Sequence, residues 1–188
     1  MPINPNSDYQ GAVRNRLAAN SAAWRDLTDN QRAGWESLGA QMVRSDSLGQ
    51  QYTLTGFQAY CSVNNNKAAA GDAIVSDAPA LAAPVGLLTA TITLTNAAFS
   101  VAYTATPLSA GNRLFIFASP QRNAGRSYEG DYRLIAVTAA AAASPHNLLT
   151  AYTARCGAPV TGNKVFLSLQ VYEGGFLGGP LTTSKVVS

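Results

Sequence analysis

The sequence predicts an α+β protein, with a small helical module followed by an antiparallel β-sandwich. Three observations carry this reading. Both tryptophans, Trp24 and Trp35, fall in residues 1–72, where apolar positions recur at helical spacing. Residues 87–188 instead alternate Thr with aliphatic side chains. Between them, 73–86 is a Pro/Ala-rich connector whose prolines block a continuing helix.

In the helical module, Asn6-Ser7-Asp8 supplies a helix start. Tyr9, Val13 and Leu17 then repeat every four residues on one face, and the pattern runs on to Trp24 and Leu27. Asn20-Ser21 is a place to bend or restart the helix. The clearest local signal is Thr28-Asp29-Asn30-Gln31. It reads as a capping box, in which the Thr28 hydroxyl and the Gln31 side chain each satisfy the other residue's backbone N–H. Trp35, Leu38 and Met42 follow on one face, so two antiparallel helices are expected to clasp the indoles between them. Residues 47–53 read as an extended loop. A third helix is expected from Thr55, with Phe57, Cys61, Asn64 and Ala68 on one face and Gly71 as its stop. Trp24, Leu27, Trp35, Leu38 and Phe57 are the expected core of this module, and one face of its helical hairpin is a candidate intersubunit contact.

Strand patterning dominates the second half. Leu88, Ala90, Ile92 and Leu94 alternate with Thr89, Thr91, Thr93 and Thr95, which describes a half-buried strand with a hydroxyl-covered outer face. Phe99, Val101 and Tyr103 continue with the same period. Further strands are expected over 113–119, 131–138, 164–172 and about 181–187. Segment 139–160 opens with five alanines and is open between loop, weak strand and a short helix around Asn147–Thr153.

Composition bounds the function. Only 12% of the residues are charged, about half the usual share. A surface of Thr, Ser, Asn, Gln and Gly suits repeated protein contact. Residues 1–72 carry six basic and six acidic side chains, and the remainder carries seven and four, giving +3 overall. The basic residues are scattered, which argues against nucleic acid. A three-helix unit raises the helix-turn-helix reading. Its recognition helix would be 29–43, which carries Asp29 and Glu36 beside Arg32 and Arg44 and lacks a basic flank. No secretory leader pattern opens the chain, and no run of about 18 apolar residues would span a membrane. Cys61 and Cys156 sit in different halves and read as two unpaired thiols.

No catalytic constellation stands out, and no cofactor or metal is expected. His146, beside Pro145 and Asn147, lacks an orienting partner and reads as a loop histidine. Glu129 and Asp131 read as turn residues rather than a glycosidase pair or a calcium site. Loop 120–130 is the best contact candidate, through Arg122, Arg126 and Tyr128, residue types enriched at interaction hot spots. Phe176 and Leu177, at the tip of a Gly-rich hairpin, are the second.

Two resemblances add to this. The run Trp24-Arg25-Asp26-Leu27-Thr28-Asp29-Asn30-Gln31-Arg32-Ala33-Gly34-Trp35, extended by Leu54–Tyr60 and Asn64-Asn65-Asn66, resembles a W-x2-L-T-x2-Q-R-x2-W module of uncharacterised bacteriophage and bacterial proteins. That resemblance covers about 50 residues and is often joined to a β-sandwich. The end of the chain is similar to a fibronectin type III or immunoglobulin-like domain. Residues 165–172 would be its penultimate strand, 174–180 its hairpin and 181–187 its last strand. The usual early Trp and paired cysteines are missing.

The expectation is therefore a non-enzymatic, multi-copy structural protein of a bacteriophage virion, acting in head decoration, a connector or the tail. Its partners would be itself, as a homo-oligomer, and other particle proteins. The alternative is a carbohydrate- or receptor-binding module, with Tyr128, Tyr132 or Tyr172 as stacking platforms.

Overall fold

The computed structural model describes residues 8–46, 48–104, 106 and 108–188. The chain divides into two compact units, 1–82 and 83–188. The α+β class holds, with three of the four helices in the first unit and the two larger antiparallel sheets in the second.

The first unit holds α1 (Asp8–Arg25), α2 (Asp29–Gln41) and α3 (Gly56–Ala70). α1 runs unbroken through Asn20-Ser21, and the expected start at Asn6-Ser7 lies outside the described residues. Asn20 does not break the helix because its amide is buried and donates to Asn65 Oδ1 of α3 (3.1 Å). The capping box at α2 forms as expected: Gln31 N–H donates to Thr28 Oγ1 (3.3 Å) and Thr28 N–H to Gln31 Oε1 (3.0 Å). Thr55 and Gln58 build a second capping box on α3 with the same pairings (3.3 and 2.9 Å), a T-x-x-Q signature as plain in the sequence as the first. Gly71 closes α3 in the left-handed region, as a C-terminal glycine does.

The aromatic core differs from the expected clasp. Trp35 and Trp24 both meet Tyr60 of α3, at ring-centroid distances of 5.1 and 5.4 Å, and Trp24 also meets Phe57 at 5.7 Å. The third helix supplies the ring that the two indoles share. The buried face of α3 is accordingly Ala59, Tyr60, Val63 and Asn64. Cys61 and Asn64 are buried as expected, but the face is rotated from the expected one, so that Phe57 is half-buried and Ala68 exposed. Leu27, Trp35, Leu38 and Met42 are buried as expected.

Helices α2 and α3 approach through glycine. A Cβ at Gly39 would lie 2.5 Å from the Leu54 carbonyl oxygen, and one at Gly56 would lie 2.9 Å from Glu36 N. Residues 47–53 are not all loop. β1 (Val43–Ser45) pairs antiparallel with β2 (Gln51–Thr53) in an exposed hairpin arm.

Part of the Pro/Ala-rich connector belongs to the helical unit. Asn64, fully buried, accepts from Val75 N–H through Oδ1 (2.9 Å) and donates through Nδ2 to the Val75 carbonyl (3.1 Å). Trp35 Nε1–H donates to the Ser76 carbonyl (2.7 Å), and Gln31 Nε2 to Asp77 Oδ1 (3.1 Å). A segment without its own ladder is thereby satisfied by side chains.

The second unit is a two-sheet sandwich. One sheet is β3 (Thr89–Leu94), β4 (Phe99–Thr104) and β8 (His146–Asn147). The other is built on β9 (Asn163–Glu173). β5 (Arg113–Ala118) and the short β6 (Arg122–Asn123) pair along one side of β9, and β10 (Phe176–Leu177) and β11 (Leu181–Val186) along the other. β7 (Arg133–Val137) lies outside β5. The expected penultimate and last strands are therefore neighbours in register, with Thr182 opposite Ser168. The Thr/aliphatic alternation buries Ile92 and Leu94 and exposes the threonines, although Leu88 lies outside the strand and is exposed.

The core between the sheets includes Phe99, Val101, Leu114, Ile116, Val165, Leu167, Leu169 and Val171. The open segment 139–160 resolves into β8 and α4 (Leu149–Cys156). Tyr152 of α4 plugs the core, edge-on to Phe99 at 5.0 Å, and its hydroxyl donates to the Ser119 carbonyl (3.2 Å). His146 sits in a strand bridge opposite Val101, half-buried, rather than in a loop. Cys61 and Cys156 form no disulfide, and burial pushes both thiols up.

Two substitutions test the helical unit. Gly39→Ala is expected to destabilise it by about 2 kcal/mol, because the methyl would press on an immobile carbonyl. Asn64→Leu is expected to cost about 2 kcal/mol by stranding both Val75 backbone groups. Urea unfolding followed by tryptophan fluorescence, which reports only this unit, measures both.

Candidate functional site

The sandwich carries an open groove of about 520 Å³ on the outer face of its larger sheet. Its floor follows from strand periodicity. Val165, Leu167, Leu169 and Val171 of β9 point into the core, so Phe166, Ser168 and Gln170 must point outward. Across the register stand Ser184, opposite Phe166, and Thr182, opposite Ser168. The wall is the loop after β6, through Ser127, Tyr128, Glu129 and Tyr132.

One buried carboxylate shapes that wall. Glu129 is 4% exposed. Its Oε2 accepts a very short bond from Arg122 Nε and lies 3.5 Å from Arg126 Nε. Its Oε1 accepts from Gly130 N–H (2.9 Å), Asp131 N–H (2.8 Å) and Arg122 Nη2 (3.4 Å). The Arg122 hydrogen bond, with the two backbone donors, holds the Glu129 carboxyl down at about 2 against the opposing effect of burial. Asp131 extends the cluster to Arg122 Nη2 (3.4 Å) and Arg133 Nη2 (3.3 Å).

Neighbouring bonds secure the rest of the loop. Arg126 N–H donates to the Asn123 carbonyl (3.0 Å), closing a turn. Arg126 Nε donates to the Tyr128 carbonyl (2.6 Å), and Lys164 Nζ to the Arg126 carbonyl (2.9 Å). The Lys164 ammonium also lies 5.1 Å from the Phe166 ring centroid.

The sequence candidates separate on this geometry. Tyr128 is 77% exposed at the groove, and Tyr132 lines it half-buried. Arg122 and Arg126 stand in the same loop but are engaged in holding it, Arg122 on Glu129 above all. Tyr172 is 1% exposed and stacked on Phe115 at 5.3 Å, so it offers no platform. Phe176 is buried and Leu177 half-buried, because the hairpin folds back onto β9 through β10. The outward residues Ser168, Gln170, Thr182 and Ser184 were legible only as strand residues. That they share a groove depends on the register between β9 and β11.

The helical unit carries a second candidate surface. Tyr9, Val13 and Leu17, at four-residue spacing on α1, are 52%, 57% and 49% exposed. The single face that the spacing predicts for these three residues is therefore on the surface. Asn20 is the one buried residue of α1, so the helix upstream of it has no fully buried side chain among the described residues. The hairpin arm of the same unit exposes Val43, Leu48 and Tyr52 as well.

Among the described residues, no group of three or more His, Cys, Asp or Glu side chains could hold a metal, and no helix is long and apolar enough to cross a membrane. No family model, curated protein or solved structure matches the chain.

The Glu129 shift fixes a pH dependence. A carboxyl lowered from 4.5 to about 2 on folding stabilises the loop fully above the unfolded value. That contribution fades as pH falls from about 4.5 through about 2. Amide exchange at Gly130 and Asp131 is expected to lose protection across that window, and Glu129→Gln to lose it at neutral pH.

Proposed function

We propose that this chain is a non-enzymatic assembly protein, a multi-copy component of a bacteriophage virion that contacts further copies of itself and other particle proteins. The observation that carries the reading is the apolar stripe of Tyr9, Val13 and Leu17 on α1. A helix segment of roughly 18 Å, from Asp8 to Asn20, has no fully buried side chain before Asn20. Helices in proteins draw most of their stability from packing an apolar face. An exposed apolar face on such a helix favours a partner that covers it.

The low charge density supports the same reading, since weakly charged copies repel little when they pack side by side. The bacteriophage setting rests on the resemblance of Trp24–Trp35 to the phage-associated helical module. The thin acid/base inventory favours a structural role. Head decoration, a connector and the tail are places in a particle that such a protein can fill.

Light scattering and negative-stain microscopy across a concentration series test the reading. The expected result is a discrete oligomer, ring or tube. Val13→Asp with Leu17→Asp is expected to return it to a 19.6 kDa monomer without loss of helix by circular dichroism. A wild type that stays monomeric at high concentration and associates with no particle overturns the reading.

A further inference from the structure

We propose that the groove between residues 127–132 and the outer face of β9 and β11 binds a short neutral oligosaccharide, with Tyr128 as its stacking platform. This inference does not depend on the assembly reading, because it concerns the sandwich unit by itself.

The first support is Tyr128. A large aromatic at 77% exposure contributes little to the fold. Yet its loop is pinned on both sides, by Arg126 Nε on its own carbonyl and by Glu129 immediately after it. An aromatic held out on an ordered loop loses little freedom on binding, which is what a preorganised contact requires. The C–H face of a pyranose ring is a flat apolar surface suited to such a ring.

The second support is the chemistry of the floor. Thr182 and Ser184 present exposed hydroxyls, and Ser168, opposite Thr182 and only 7% exposed, adds a third at the bottom of the groove, each able to donate and accept. Phe166, 6% exposed, closes the floor beside them. Alternating hydroxyls and apolar carbon is the pattern of a sugar. A cleft of about 520 Å³ falls within the roughly 300–1,000 Å³ of small-molecule sites.

The third support is charge. The carboxylate of Glu129 is occupied on both oxygens, Asp131 is bridged by two arginines, and Lys164 is bound to the Arg126 carbonyl. Glu129 is the one charged side chain among the described residues lining the groove, and both its oxygens are taken, which leaves hydroxyls and rings to meet a neutral ligand. A peptide adding to β9 is disfavoured, because that strand is already paired along both sides.

The test applies the full-length chain to a printed array of neutral hexose and N-acetylhexosamine oligosaccharides alongside sialylated and sulfated ones. Saturation-transfer NMR then follows on the neutral glycans that bind. Binding of a neutral glycan is expected, with affinity reduced about tenfold or more in Tyr128→Ala and a few-fold in Ser168→Ala. Tyr128→Ala alters an exposed side chain, so unchanged thermal unfolding confirms that the variant is folded. The Val13→Asp, Leu17→Asp variant is expected to keep the same affinity per chain, which separates failure of this proposal from failure of the assembly reading. Absence of glycan binding at millimolar concentration, binding confined to the acidic glycans, or neutral binding indifferent to Tyr128→Ala would each overturn the proposal.

Discussion

The alternation of β9 is the constraint on which the sandwich depends. Eleven residues, Asn163–Glu173, pair with strands on both sides and send every second side chain into the core. Val165, Leu167, Leu169 and Val171 are the inward set, and each is almost or wholly buried. The same period turns Phe166, Ser168 and Gln170 outward, where they become the floor of the groove. A slip of one residue would exchange the two sets and put serine and glutamine into the core. Core and groove are thus two consequences of one register.

Over this frame the loop 120–132 is organised by a different interaction. Glu129 gathers an arginine and two backbone amides around one buried carboxylate, and the low pKa of that group follows from its donors. The arrangement decides how its neighbours are used. Arg122, a plausible contact residue by type, is engaged within the fold. Tyr128, next in sequence to Glu129, is left exposed. One buried ion pair therefore separates the structural residues of the loop from those available to a ligand.

The helical unit rests on a shared aromatic and on close backbone approach. Tyr60 stands between Trp24 and Trp35, while Gly39 and Gly56 let α2 and α3 come near enough for that contact. Asn64 and Trp35 then hold the segment 75–76 through its backbone groups. These interactions leave the early part of α1 with its apolar stripe outward. The exposed stripe and the aromatic core belong to one unit.

Much of the architecture was legible in the sequence, because it depends on local periodicity and local hydrogen bonds. The Thr28 capping box, the Gly71 stop, the Thr/aliphatic strands and the final strand pair follow from residues a few positions apart, and those rules act wherever the chain goes. The candidate site was legible only in part. Tyr128 and the loop stood out by residue type. The exposure of Tyr9, Val13 and Leu17, the burial of Phe176 and Tyr172, and the meeting of both indoles on Tyr60 turn on which distant element lies alongside. Periodicity names a face but not its neighbour. The groove itself joins residues 127–132, 166–170 and 180–184, segments brought together only by sheet register and by the carboxylate at Glu129. Local sequence determined the elements, whereas tertiary packing decided which of their faces became core, wall or open surface.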